Sequence, residues 1–332
     1  MKLNLTITNS KLSRQLNSLL TNLNLKQTKA KDSDFIIIDN NHDNKTLKKL
    51  LNLKKPILRL CRKGSVFKQL SFDFPEFYIY QRFYDDDNLI FILKEFIDHI
   101  EFLKRKNGYL IVIDGGDGAG KKTQSDLLVK HFKNKGKKVK LYDFPQYFGS
   151  IYGQTIARFL NKEFGPLNQV APELISVLYA QDRQTVVSEM KKLLTEGAII
   201  ICNRYTSSNL AFQTVRKPAA LQMKFINWII DLEYKTNLLP LEDITIYLDV
   251  DTQTAQKLIQ KKQKREYLQK QGKDLTEELI TYQQQTRVMY LKLTKLFNHW
   301  QTINCISNNK LKSIVEIHKD IVSCIEKNMK SA

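Results

Sequence analysis

The stretch "YLIVIDGGDGAGKKTQ" (residues 109–124) constrains this chain more than any other. It opens with an apolar run that lacks alternation, the pattern of a strand buried on both faces of a parallel sheet. Beyond the glycines, Leu127, Leu128 and Phe132 recur at helical spacing, so the loop joins a strand to a helix. Gly115, Gly120 and Lys121 keep the spacing G-x-x-x-x-G-K of a loop that wraps phosphate. Glycines let backbone N–H groups turn inward, the helix start adds its positive end, and the lysine neutralises β- and γ-phosphates. On this reading Gly115, Gly118, Ala119, Gly120, Lys121, Lys122 and Thr123 form the ATP-binding set. One position departs. Lys122 stands where a serine or threonine hydroxyl would reach a cation. An ammonium ligates no metal, so Mg2+ accompanying ATP must be held by water, by the phosphates, or by the Thr123 hydroxyl.

The rest of the chain alternates strand and helix signals. "KLNLTI", "FIIID", "PILRL" and "FYIYQRF" are short apolar or β-branched runs separated by helical patterns, and the amphipathic segment "NLIFILKEFIDHIEFLKR" follows them. After the charged connector "KRKNG" (104–108), the runs "YLIVID", "VKLYDF", "AIIIC" and "ITIYLDV" are almost wholly apolar. The pattern predicts an α/β chain: a doubly wound parallel sheet of P-loop type over residues 106–332, preceded by a small separate α/β domain over 1–105. Residues 172–196 are expected to form a long helix.

Composition excludes several classes. No apolar run approaches the roughly 18 residues that a membrane span needs. The four cysteines, Cys61, Cys202, Cys305 and Cys324, have no C-x-x-C spacing, which suits a reducing cytoplasm. The net charge of +19 invites a nucleic-acid reading, but residues 1–108 hold 20 Lys/Arg against 12 Asp/Glu, so the excess is spread along the chain. A phosphate-bearing small molecule explains that balance as well as a nucleic acid does.

Beyond the loop, five ordered motifs resemble those of the thymidylate kinases: "IDGGDGAGKKTQ", "DFPQY", "LYAQDR" (178–183), "NRYTSSNLAFQ" (203–213) and "LEYKTNLLPLEDITIYLDV" (232–250). The resemblance spans residues 109–328 and implies transfer of phosphate from ATP to dTMP, with a helical lid and a homodimer. It places Asp117, Phe144, Tyr179, Arg183 and Arg204 at the dTMP site, with Asp117 reading the sugar 3′-hydroxyl. Tyr179 lies one helical turn before Arg183 and so shares its face; there it offers either a surface for thymine or an ordinary core residue. Arg204 follows a buried strand, at the strand end where open α/β sheets bind ligands. Lys121, Arg204 and Arg265 are the expected catalytic residues. Arg265 enters because the loop has Gly118 where some members of the family place an arginine. It is the one arginine in "KKQKREYLQKQGK" (261–273), a basic run that a solvated helix face explains equally well.

Three places depart from the family pattern: Lys122, Asn203 in place of an aspartate, and Gln146 and Tyr147 after Phe144-Pro145, where an arginine is usual. They leave open a kinase for another nucleoside monophosphate, or a catalytically weak relative that binds nucleotide for regulation or scaffolding. Residues 1–105 faintly resemble a nucleoside 2-deoxyribosyltransferase-like domain. The helix after its second strand, "NKTLKKLLNL", has no glutamate to act as nucleophile, so this domain is expected to be non-catalytic.

Overall fold

The computed structural model describes the whole chain except residues 24, 43–45, 47–48, 51, 65–78, 261–279, 309 and 332. It divides into two compact units, Met1–Arg105 and Lys106–Ala332. The first has a parallel sheet in the order β2-β1-β3-β4-β5. Its strands are β1 (Lys2–Thr6), β2 (Lys26–Gln27), β3 (Phe35–Asp39), β4 (Ile57–Arg62) and β5 (Ile79–Tyr84). Helix α1 (Ser10–Asn22) starts at the Asn9 cap, whose side chain accepts from the Leu12 amide, and α2 (Leu89–Arg105) closes the unit. All five residues of β3 are buried, as its unbroken apolar run requires.

The second unit holds the glycine loop. Its sheet runs β10-β9-β6-β8-β7, every pairing parallel. The strands are β6 (Tyr109–Gly115), β7 (Val139–Asp143), β8 (Ile199–Asn203), β9 (Ile244–Asp249) and β10 (Trp300–Asn304). One face buries Ile111, Ile113, Ile199, Ile201, Ile246 and Leu248 under Leu128 and Phe132 of α3 (Lys121–Asn134) and Ile321 and Ile325 of α11 (Ile314–Ser331). Each such aliphatic side chain contributes about 1.5–3 kcal/mol on burial. On the other face Tyr247 stacks on Tyr290 of α10 (Ile280–Leu296), ring centroids 4.7 Å apart. The central strand β6 therefore delivers the loop to the C-terminal edge of the sheet, where a doubly wound fold opens its crevice.

Between β7 and β8 lie α4 (Ile151–Leu160), α5 (Pro172–Gln184) and α6 (Val187–Thr195). Residues 172–196 thus form two helices, not one. Local competition for the backbone explains the break. The Asp182 carbonyl accepts from Thr185 Oγ1 at 2.7 Å and from Gln146 Nε2 at 2.8 Å, while the Val186 amide turns to the Arg183 carbonyl. After β8 come α7 (Thr206–Thr214), α8 (Ala219–Ile230) and a π-helical turn, Asp231–Thr236, then α9 (Thr252–Gln260) beyond β9.

Helix α4 begins at Ser150, whose hydroxyl accepts from the Gly153 amide at 2.8 Å. A Cβ at Gly153 would lie 2.0 Å from the Gln146 carbonyl oxygen, so the helix rests directly on the backbone of the 144–147 turn. Gly153→Ala should push them apart and destabilise the second unit by about 1–3 kcal/mol. Urea unfolding of the two forms measures it; an unchanged midpoint would mean that this contact bears no load.

Candidate active site

The glycine loop is a backbone device. Gly118 and Gly120 sit in the left-handed region (φ 85° and 86°), which turns successive amides toward one side. Gly115 is needed for a different reason: a Cβ there would come 2.8 Å from the Leu248 carbonyl oxygen of β9. Gly120 caps α3, and Lys121 is its first residue. The Lys121 ammonium is buried over the loop, donating to the Gly115 carbonyl at 3.0 Å and the Gly116 carbonyl at 2.7 Å. Phosphate oxygens are stronger partners for an ammonium than neutral carbonyls are.

Beneath the loop lies Asp114, fully buried at the end of β6. Its carboxylate accepts from the Gly115 amide at 2.8 Å, Ser208 Oγ at 2.9 Å and the Tyr290 hydroxyl at 2.9 Å, and from Ser207 Oγ. Burial pushes the Tyr290 hydroxyl well above its ordinary pKa, and the Asp114 charge adds to the shift, so the tyrosine remains a donor. The sequence reading missed Asp114. A lone acid ending an apolar strand was the signal.

Arg204 is brought to the same loop. Its backbone takes a left-handed φ of 65° just after β8, and its guanidinium donates to Asp117 and, at 3.2 Å, to Ser208 Oγ. It also lies over the Phe212 ring, 5.5 Å from the centroid. Burial works against its charge, but the Asp117 and Asp114 carboxylates more than offset this and raise its pKa. Gln283 of α10 holds the second Asp117 oxygen at 3.0 Å. Asp117 and Arg204 therefore meet, with Tyr290 and Gln283 as supports that no sequence motif had marked.

Arg183 pairs with a buried carboxylate. It is 1 % exposed, and its Nε donates to Glu233 at 2.7 Å while Nη2 donates to the other Glu233 oxygen. Burial alone would lower its pKa; the fully buried Glu233 outweighs that and holds it above the ordinary arginine value. Asn209 Nδ2 and Thr206 Oγ1 complete the carboxylate's shell at 2.8 and 3.2 Å. Nε and Nη2 of Arg183 are thus engaged by Glu233, an ion pair that no sequence motif had marked. Phe144 is 2 % exposed, packed between the rings of Tyr142 and Tyr205. Tyr179, on α5, is half-buried. Arg265 and the basic run around it lie outside the described residues.

Thr123, the expected metal ligand, is exposed on α3, two residues beyond the buried Lys121. Among the described residues no group of three or more His, Cys, Asp or Glu side chains could hold a metal ion. Beside the loop, Asp143 accepts from Asn203 Nδ2 at 2.7 Å, and Asn203 Oδ1 is a buried oxygen with no hydrogen-bond partner in the structure. One carboxylate and one amide oxygen, within the field of the Lys122 ammonium, do not make a cage of hard oxygens for a divalent cation.

The second unit also holds two clefts. One, about 630 Å³, is lined by Asp249, Asp251, Lys257, Arg287 and Asn304 at the ends of β9 and β10. There Arg287 clamps Asp249 through both oxygens, at 2.7 and 2.8 Å. The other, about 1030 Å³, is lined by Leu167, Val170, Pro172, Arg216 and Tyr282 among others.

A parallel sheet whose central strand feeds a glycine–lysine loop into a helix, with an arginine and a carboxylate meeting over that loop, defines a P-loop phosphotransferase fold. The family model described as thymidylate kinase matches residues 113–321. A probable thymidylate kinase of Pyrococcus horikoshii is 32% identical over 223 residues, 66% of this chain and 96% of that protein. The thymidylate kinase of Plasmodium falciparum is 29% identical over 224 residues, 67% of this chain and 92% of its own. The solved structure of thymidylate kinase from Candida albicans shares the fold, with a TM-score of 0.52 at 22% identity, covering 67% of this chain and 93% of that one. The chain belongs to the thymidylate kinase family.

The Arg183–Glu233 pair yields a test. Removing one partner of a buried ion pair leaves the other uncompensated, at about 3–5 kcal/mol. Glu233→Ala should lower stability by that amount in urea unfolding, and Arg183→Ala should do likewise. Loss of dTMP affinity in Arg183→Ala at unchanged stability would assign this arginine to the acceptor site instead of to packing.

Proposed function

We infer that the second unit transfers the terminal phosphoryl group of ATP to dTMP, giving ADP and dTDP. The observation that bears most on this reading is the meeting of Arg204 with Asp117 over the loop that holds Lys121: donor and acceptor groups occupy one centre. Phosphoryl transfer asks a protein mainly to align two phosphates and neutralise charge as it develops. The Lys121 ammonium exchanges its carbonyl partners for β- and γ-phosphate oxygens, while the loop amides and the start of α3 take the remaining charge. The cleft at Asp249 and Arg287 adjoins this cradle, since Leu248 pairs with Gly115, and it suits the nucleoside part of ATP. Arg204, with a partner on each side, presents its fork to the acceptor phosphate. Asp117, oriented by Arg204 and Gln283, is set to accept a hydrogen bond from the sugar 3′-hydroxyl. Tyr179 supplies the aromatic face for thymine.

The reaction takes Mg2+ with ATP; a cation enters on the phosphates, because the side chains beside the loop do not form a set that would hold one. A second copy of the chain is the proposed partner. Phe148, Ile151 and Leu174, on and beside α4 and α5, are 68%, 72% and 64% exposed, and a homodimer would cover them. Among the described residues no helix is long and apolar enough to cross a membrane, and the cysteines are unbonded; we place the protein in the cytoplasm. The first unit is proposed to be non-catalytic, a binding or docking domain.

Coupled ADP release with a panel of nucleoside monophosphates tests the reading, with dTMP expected to be the preferred acceptor. ATP and dTMP binding without turnover would leave a nucleotide-binding scaffold instead. Lys121→Ala should cut kcat on the order of 100–1,000-fold at unchanged stability. Arg204→Ala should weaken dTMP handling by about 1.5–3 kcal/mol while sparing ATP affinity. A chain starting near Lys104 should retain activity within a few-fold; its collapse would make the first unit part of the kinase.

A further inference from the structure

Lys122 remains unexplained by the reading above. It is the second residue of α3, directly after the cradle lysine, and no acidic residue stands in that first turn. Two consecutive ammonium groups at the positive end of a helix are electrostatically disfavoured unless an anion sits there. Lys122 is 55% exposed in its side chain and donates to Asp126, one turn on, at 2.7 Å, with that partner 45% exposed. An exposed pair of this spacing is weak and readily exchanged for a stronger anion. The side chain also lies close enough to Asp143 for its charge to act on that carboxylate, so it stands on the side of the loop where β7 and β8 end. Here a loop of this spacing usually offers a hydroxyl to a divalent cation. In this chain the hydroxyl is an ammonium, and the residue hydrogen-bonded to Asp143 is the neutral amide of Asn203. Both features work in one direction: a fixed positive charge is supplied, and oxygen ligands for a mobile one are not.

We propose that the Lys122 ammonium leaves Asp126 for the ATP polyphosphate and takes over charge neutralisation that a loop-bound divalent cation would supply, so that the protein binds ATP almost independently of Mg2+. This rests on the reading of residues 115–123 as the ATP site.

The test is equilibrium binding of ATP to the full chain by titration calorimetry, once with excess Mg2+ and once with EDTA, alongside Lys122→Thr and Asp126→Asn. In the unmutated protein the two dissociation constants should differ by less than tenfold. Lys122→Thr should raise that ratio at least tenfold by weakening free ATP. Asp126→Asn, which releases the ammonium, should tighten free ATP. A ratio above tenfold in the unmutated protein, or one that Lys122→Thr leaves unchanged, overturns the proposal while the ATP site stands. Absence of ATP binding in both conditions overturns the ATP site as well. Both substituted positions are exposed, and thermal melts matching the unmutated chain confirm that any change in binding is local.

Discussion

The second unit is organised around the carboxylate of Asp114. A fully buried carboxyl group is expensive to desolvate, and it is tolerated here because donors converge on it from three separate places: the glycine loop, the start of α7, and α10. In satisfying one side chain the chain fixes three elements that are far apart in sequence. The loop is thereby tethered at its base, Ser208 is held where Arg204 can use it, and Tyr290 is held as a donor against the sheet. Were Asp114 apolar, each of these groups would be left with a buried polar atom to satisfy, and the crevice would have no common anchor.

A second buried charge, Glu233, does similar work one layer further out. It lies in the π-helical turn after α8 and gathers Arg183, Asn209 and Thr206. The turn matters, since an extra residue in the winding re-aims the side chains on it. The outer layer is thus braced by ion pairs and amides, while the glycine loop is formed mainly by backbone.

How much of this was legible in the sequence differed by element. Strands such as β6 and β8 are buried on both faces, so their composition alone identifies them, and the glycine–lysine spacing locates the loop. The parallel α/β architecture follows from the same runs. The fate of Arg183 was not legible. Helical spacing puts it on one face with Tyr179 but says nothing of which partner waits there, and Glu233 is fifty positions away in an irregular turn. Gln283 and Arg287 lie in a polar run whose periodicity marks no functional face. The break at residues 185–186 came from side chains competing for carbonyls, which apolar periodicity cannot register.

The contact between Arg204 and Asp117 has a consequence for selectivity. The Arg204 guanidinium and the Asp117 carboxylate already neutralise one another, as Lys121 already donates to carbonyls. A ligand gains little by offering a phosphate alone, because it only exchanges one set of bonds for another. It gains more by offering an anion and a hydroxyl together, so that guanidinium and carboxylate each receive a replacement when they part. Such a crevice behaves as a two-key lock. Inorganic phosphate or an uncharged nucleoside turns one key, and a sugar phosphate with both groups at the right separation turns the pair.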